Sequence, residues 1–109
     1  MALSIDILIP MKRIEIVVTD ESLNDLIELF REAKVRGYTV IRKAGGLGSR
    51  GERNPDYYPL EEENAVMVLA CEEGQAEKLL MMLRPKLKEF GGMCLISDCQ
   101  WVIGPAASY

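Results

Sequence analysis

Histidine is absent from all 109 residues. Its absence removes the commonest general base, the commonest metal ligand and the usual titrating switch near neutral pH. Ser-His-Asp and Cys-His catalysis within one chain is excluded, as are histidine-dependent zinc sites. Cysteine is scarce and odd in number: Cys71, Cys94 and Cys99, with no CxxC spacing. Neither a disulfide framework nor a four-cysteine zinc site is supported. Each cysteine lies in or beside an apolar run, as a small buried hydrophobe would, with cytosolic redox sensing as the other reading. No hydrophobic stretch approaches the roughly 20 residues that cross a bilayer. The apolar start, Ala2 to Ile9, has no positive flank and no small-residue cleavage site, and Asp6 interrupts it, so it is not read as a signal peptide. Basic charge is in deficit, 13 Lys and Arg against 17 Asp and Glu for a net −4, which suits nucleic acid badly. What these absences leave is a single cytoplasmic domain that binds or regulates.

What is present reads as alternating strands and helices. Between Lys12 and Val18, Ile14, Ile16 and Val18 alternate with residues such as Glu15, the period-two pattern of a strand. Ser22 followed by Asp25 matches a helix-start signature. Leu23, Leu26, Ile27, Phe30 and Ala33 then recur at helical spacing as far as Gly37, read as the helix-ending glycine. Tyr38 to Arg42 returns to strand alternation. Ala44 to Asn64 holds Gly45, Gly46, Gly48, Gly51, Pro55 and Pro59 with no sustained period. A connection of about twenty residues is uncommon and is usually functional or disordered. Ala65 to Cys71 is nearly all apolar, as a buried central strand would be. Gly74 to Phe90 places Ala76, Leu79, Leu80, Leu83, Leu87 and Phe90 on one helix face, with Pro85 expected to break the ladder. Gly91-Gly92 ends that helix, and Met93–Ile96 with Gln100–Ile103 supply a last strand region. The order predicts an α+β, ferredoxin-like βαββαβ sandwich: a four-stranded antiparallel sheet, two helices on one face and a long loop between strands 2 and 3. Residues 1–11 are read as an N-terminal extension, 12–103 as the domain and 104–109 as an irregular tail.

Candidate chemistry concentrates in the glycine-rich segments. Gly45, Gly46, Gly48 and Gly51 let the backbone approach a ligand and offer N–H groups to phosphate or carboxylate. The cluster is neither G-x-G-x-x-G nor a P-loop, and plain loop flexibility is its other reading. Arg50 and Arg53 suit bidentate binding of an anion, or are solvated charges paired with Glu52 and Asp56. Gly91-Gly92 is a helix cap or a ligand contact. Glu61-Glu62-Glu63 is a solvated run or a surface for a basic partner. Met67, Met81, Met82 and Met93 read as core or subunit-contact filler rather than a metal site. Trp101 reads as core, with stacking on a base as the alternative.

Three segments carry a family resemblance. Gly37-Tyr38-Thr39-Val40 is similar to the G-M-T-V that opens the second strand of the PII signalling proteins. Gly46-Leu47-Gly48-Ser49-Arg50-Gly51 resembles their glycine-rich T-loop base, G-F-G-R-Q-K-G. Gly92-Met93-Cys94-Leu95-Ile96-Ser97-Asp98 resembles their nucleotide loop and last strand, G-K-I-F-V-F-D. The likeness spans roughly residues 12–103, and Ala44 to Asn64 takes the place of the T-loop. It implies a homotrimer that binds adenine nucleotides in clefts between subunits and performs no catalysis. Thr39, Gly46, Gly48, Ser49, Arg50, Gly91 and Gly92 would then hold the nucleotide, with no metal site.

The departures point within the family. The lysine after the last-loop glycine and the arginines of the final strand are missing, with Met93 and Trp101 in such places and no basic residue from Gly91 through Tyr109. The uridylylation motif around the T-loop tyrosine is also missing, although Tyr57 and Tyr58 are present. Gly46 to Arg50 is closer to the G-x-G-S-R of divergent PII-like proteins associated with inorganic-carbon uptake and carboxysomes. These imply an adenine nucleotide, with AMP and ADP favoured over ATP and cyclic AMP a further choice, in some cases with bicarbonate at Gly46, Gly48, Arg50 and Arg53, and a membrane transporter or carboxysome-related partner to which the cytoplasmic protein is recruited. Fewer cations favour the less charged ligand, because each unneutralised phosphate charge must still be desolvated. The alternatives are a metal-tolerance trimer of the same fold, or a small enzyme on the ferredoxin-like scaffold such as an acylphosphatase. An acylphosphatase would need an arginine-containing phosphate loop where this chain has Thr19-Asp20-Glu21.

Overall fold

A computed structural model of the chain describes residues 7–48, 51–53 and 64–103. Its strands are β1 (Leu8–Thr19), β2 (Thr39–Ala44), β3 (Gly46–Gly48), β4 (Gly51–Arg53), β5 (Asn64–Cys71) and β6 (Met93–Val102). Its helices are α1 (Leu23–Glu32), α2 (Glu73–Leu83) and α3 (Leu87–Phe90). The order β2-β5-β1-β6 forms one sheet, every neighbouring pair antiparallel, and β3 with β4 forms a separate ribbon. This is the α+β, ferredoxin-like architecture that the sequence predicts.

The alternation in β1 explains the layering. Ile14, Ile16 and Val18 are wholly removed from solvent, and their register partners Leu69, Met67 and Ala65 in β5 are buried beside them. Leu23, Leu26, Leu29 and Phe30 of α1 and Ala76, Leu79 and Leu83 of α2 complete that core. Each large apolar side chain so buried contributes roughly 1.5–3 kcal/mol. Phe30 also meets Tyr38 edge to face, with ring centroids 5.3 Å apart. Both helices therefore cover one face of the sheet.

Several local expectations change. β1 starts at Leu8 instead of Lys12, because Leu8 through Met11 pair with β6 as far as Val102–Cys99. For the same reason β6 is continuous from Met93. Ser22 is already helical and its hydroxyl accepts no capping bond from the first turn of α1, which is entered through a 3-10 turn at Asp20–Ser22. Nor does Gly37 end the first helix. Lys34 takes the left-handed conformation, φ 59°, while its N–H reaches Arg31 O at 3.1 Å and the Val35 N–H reaches Phe30 O at 3.0 Å. Those two bonds are the Schellman closure. Pro85 lies in a 3-10 turn at Arg84–Lys86 that separates α2 from α3, as its missing donor requires. Trp101 is half-buried rather than core, because its register partner is Ile9, on the β1 face turned away from the helices. Met67 is core, whereas Met81 and Met93 are exposed.

One row of the sheet face without helices is apolar throughout. Register aligns Ile41, Val66, Val17 and Met93 across all four strands, and beside them Thr39, Val68, Glu15 and Leu95. Ile41, Met93 and Leu95 are each about half exposed, at 54%, 51% and 55%. A solvated sheet face ordinarily carries polar side chains at such positions.

Candidate functional site

The ribbon and the Gly91-Gly92 turn adjoin one end of the sheet, where β1 and β2 stop and β5 and β6 begin, whereas Thr39 stands at the start of β2. Thr19 pairs with Asn64, and Asn64 pairs with Ala44, so the two ends of the long connection stand side by side. Within that connection Gly46 pairs with Arg53, Leu47 with Glu52 and Gly48 with Gly51. The expected irregular loop thus contains a two-stranded ribbon. Ladder bonds in such a ribbon engage alternate residues, leaving the others free to face a ligand. Ser49 and Arg50, the two residues between its strands, lie outside the described residues, and Arg53 is described by its backbone alone. The tyrosines at 57 and 58 and the glutamates at 61–63 also lie outside them, as do residues 1–6 and 104–109.

A bulge sets where the ribbon leaves the sheet. The pairing of β2 with β5 slips between Ile41 and Ala44, and Lys43 there takes φ 58°. Just before it, Arg42 forms a forked pair with Asp20: Nε and Nη2 lie 3.1 and 2.9 Å from Oδ1, and Nη2 lies 2.7 Å from Oδ2. Parallel N–H···O bonds of this kind fix orientation as well as attraction.

Gly91 and Gly92 occupy the other edge and have structural duties. Gly91 adopts φ 66° and its N–H reaches Lys88 O at 3.2 Å, while the Gly92 N–H reaches Leu87 O at 3.3 Å. Both amides therefore close the end of α3. A Cβ on Gly92 would stand 1.7 Å from the Val17 carbonyl oxygen, so only glycine lets the chain pass over β1 there. The buried Thr19 hydroxyl donates to the Phe90 carbonyl at 3.3 Å and shares a hydrogen bond with Ser22 Oγ at 3.2 Å.

Thr39 is exposed on β2 and paired with Val68. Between β2 and β6 lie two strands, so Thr39 and Gly92 are separated by roughly 14 Å across the sheet. A cavity of about 330 Å³ opens near the start of β2, lined by Ile9, Met11, Gly37, Leu69, Cys71 and Gln75 among others. The Gln75 amide donates to Ala33 O at 2.6 Å and holds the α1–β2 connection over α2. Burial, with help from Cys99 and Glu72, pushes the Cys71 thiol above its ordinary range, and burial does the same to Cys94. Both are free thiols and protonated at neutral pH. At the edge of a second groove, between α2 and β6, Lys12 is paired with Asp98, which raises its ammonium pKa. Among the described residues no three His, Cys, Asp or Glu side chains stand together as a metal site, and no helix is long and apolar enough to cross a membrane.

Residues 11–103 match the family model described as Nitrogen regulatory protein P-II. The chain belongs to the P-II family. Its fold is similar to that of CPII, a nitrogen regulatory PII-like protein from Thiomonas intermedia K12 bound to ADP, AMP and bicarbonate. There the identity is 26% over 85% of this chain and 89% of that one, with a TM-score of 0.77. The apo form of CPII superposes with 22% identity over 85% and 92% of the two chains and a TM-score of 0.69. A DUF3240 family protein from Shewanella baltica OS155 shares the fold at 13% identity, over 88% and 96%, with a TM-score of 0.64. No curated protein matches the sequence.

In this P-II chain the structure brings Gly46, Gly48 and Arg53 together in one ribbon and sets Thr39 and Gly91-Gly92 on opposite edges of the sheet. Sequence reasoning passed over Thr19, Asp20 and Arg42. Asp20 and Arg42 are 22 positions apart, beyond any helical or strand period. The usable signal is topological: in a βαβ unit whose strands both flank β5, the ends of β1 and β2 fall at the same end of the sheet.

Proposed function

We propose that this P-II family chain is a non-enzymatic, cytoplasmic sensor, a homotrimer that binds an adenine nucleotide between subunits and bicarbonate at the glycine-rich ribbon. AMP and ADP are preferred to ATP. The reading is carried by the likeness to CPII, which holds ADP, AMP and bicarbonate. Three features of the chain support it. The uncovered row Ile41-Val66-Val17-Met93, with Val68 and Leu95 beside it, offers an apolar surface for a second and third copy. Thr39 and Gly92, on opposite edges of one sheet, suit two subunits contributing to one ligand. Between Gly91 and Tyr109 there is no basic residue to neutralise a third phosphate.

Roles divide by chemistry. With their amides engaged in the α3 cap, Gly91 and Gly92 meet a ligand through carbonyl oxygens, which accept from the amine and hydroxyls of adenosine and repel phosphate. Thr39 holds the same moiety from the neighbouring subunit. Gly46, Gly48, Ser49 and Arg50 take the phosphate, with Arg53 joining Gly46, Gly48 and Arg50 on bicarbonate. Ligand binding at this segment shifts the population that a membrane transporter or a carboxysome-related protein recognises.

Calorimetry on the intact chain with AMP, ADP, cyclic AMP and ATP, each with and without bicarbonate, tests the proposal. AMP and ADP are expected to bind more tightly than ATP, and bicarbonate to alter the measured affinity. Absence of heat with every nucleotide would remove the reading. Sedimentation should give three times the mass of one chain.

A further inference from the structure

Four contacts converge on the end of β1 and the residue that follows it. Gly92 packs directly over the Val17 carbonyl. The Thr19 hydroxyl donates to the carbonyl of Phe90, the residue before Gly91. Thr19 also pairs with Asn64, where the long connection rejoins the sheet. Asp20 grips Arg42 through both carboxylate oxygens, immediately before the Lys43 bulge from which the ribbon departs. The two segments assigned to the ligand, Gly91-Gly92 and the ribbon, have no direct hydrogen bond to each other among the described residues. Both are fastened to one dipeptide.

We infer that Thr19-Asp20 is the positioning element of the ligand site, holding the Gly91-Gly92 turn through Thr19 and the exit of the ribbon through Asp20. The inference rests on the nucleotide-binding reading above, and it adds residues that touch no ligand. The physical grounds differ on the two sides. Thr19 is 4% exposed, so its hydrogen bond is shielded and its loss leaves the Phe90 carbonyl without that donor. Asp20 is more exposed, but its fork locks Arg42 in one orientation, which a single-point contact would not do. Glycines in a cap and a ribbon with a two-residue connection have little side-chain packing of their own to fix them. Beyond the bonds that close α3 and the contact with Val17, the side-chain hydrogen bonds that flank them come from Thr19 and Asp20.

Hydrogen exchange on the ligand-free chain, followed by calorimetry with AMP, tests this with three variants. Thr19→Val should speed exchange at residues 91–93, Asp20→Asn should speed it at residues 42–48, and Thr19→Ser should exchange like the parent. Both disruptive variants should weaken AMP binding about fivefold, the effect of one hydrogen bond, with Thr19→Ser restoring affinity. Unchanged exchange in both disruptive variants would overturn the inference. So would faster exchange with unaltered AMP affinity, or tighter binding by Asp20→Asn, which would mean that the carboxylate competes with the ligand for Arg42. If the parent chain itself gives no heat with AMP or ADP, the nucleotide reading falls, while the exchange pattern still decides whether Thr19-Asp20 holds the two segments.

Discussion

The chain closes two helices with the same left-handed turn but with different residues. After α1 it is Lys34, at φ 59°, and after α3 it is Gly91, at φ 66°. Each closure makes the same pair of backbone bonds, from Lys34 and Val35 in one case and from Gly91 and Gly92 in the other. A left-handed residue therefore does not require glycine here. What separates the two ends is the following position. Val35 leans on the core, whereas Gly92 must pass the backbone of β1 with no room for a Cβ. Of the two glycines in the pair, the second is dictated by the fold and the first only favoured. Neither identity is evidence of a ligand. The part that Gly46 and Gly48 of the ribbon play in anion binding is therefore a question for affinity measurements.

The sharpest break of this comparison is Gly92→Ala. Its Cβ would meet the Val17 carbonyl oxygen at 1.7 Å and the Val17 carbonyl carbon at 2.8 Å, backbone atoms of a strand inside the sheet. No side-chain rotation relieves that contact. The expected cost is about 4 kcal/mol or more, in the exceptional range for single substitutions, read as a fall in the denaturant midpoint. A loss below about 1 kcal/mol would mean that the 90–93 turn shifts freely, and Gly92 would lose its steric explanation.

Arg50→Ala is next, and it should separate the two glycine segments. Affinity for AMP is expected to fall about tenfold, equivalent to about 1.4 kcal/mol, while the ligand-free midpoint stays within about 0.5 kcal/mol of the parent. An unaltered AMP affinity would remove the ribbon from the phosphate site. Gly91→Ala should come third, at about 1 kcal/mol of lost stability, the ordinary cost of a left-handed residue with a Cβ.

The same comparison explains what could be read beforehand. Ile14, Ile16 and Val18 were legible as one face of a strand because burial in β1 follows the period of two through these residues. Pro85 was legible because its missing N–H acts wherever it sits in a helix. Gly37 misled, since the helix ended three residues earlier on a lysine that two backbone bonds and Val35 hold in place. The ribbon at 46–53 was hidden because glycine carries no hydrophobic pattern and its pairing uses the backbone alone. Asp20 and Arg42 meet only through topology. Family membership was readable for a different reason: three short segments fall in the right order on the right elements. The glycines and arginines proposed for the site are conspicuous in the sequence, whereas Thr19 and Asp20, which meet their flanks only in the fold, are not.

Lys34→Gly has the smallest expected effect and the opposite sign. A left-handed conformation costs an L-residue about 1–2 kcal/mol, and glycine removes that cost. Glycine also gives the unfolded chain more freedom to lose, about 0.5–1 kcal/mol relative to alanine. The difference leaves a net gain of about 0.5 kcal/mol, because the Lys34 side chain is exposed and no core packing is lost. For a domain of this size that is an upward shift in Tm of about 2–4 °C, measured at equal protein concentration because assembly would also raise Tm. A lower Tm would show that the side chain of Lys34, and not the tolerance of its backbone, secures the end of α1. Lys34 and Gly91 would then be equivalent in shape but not in cause.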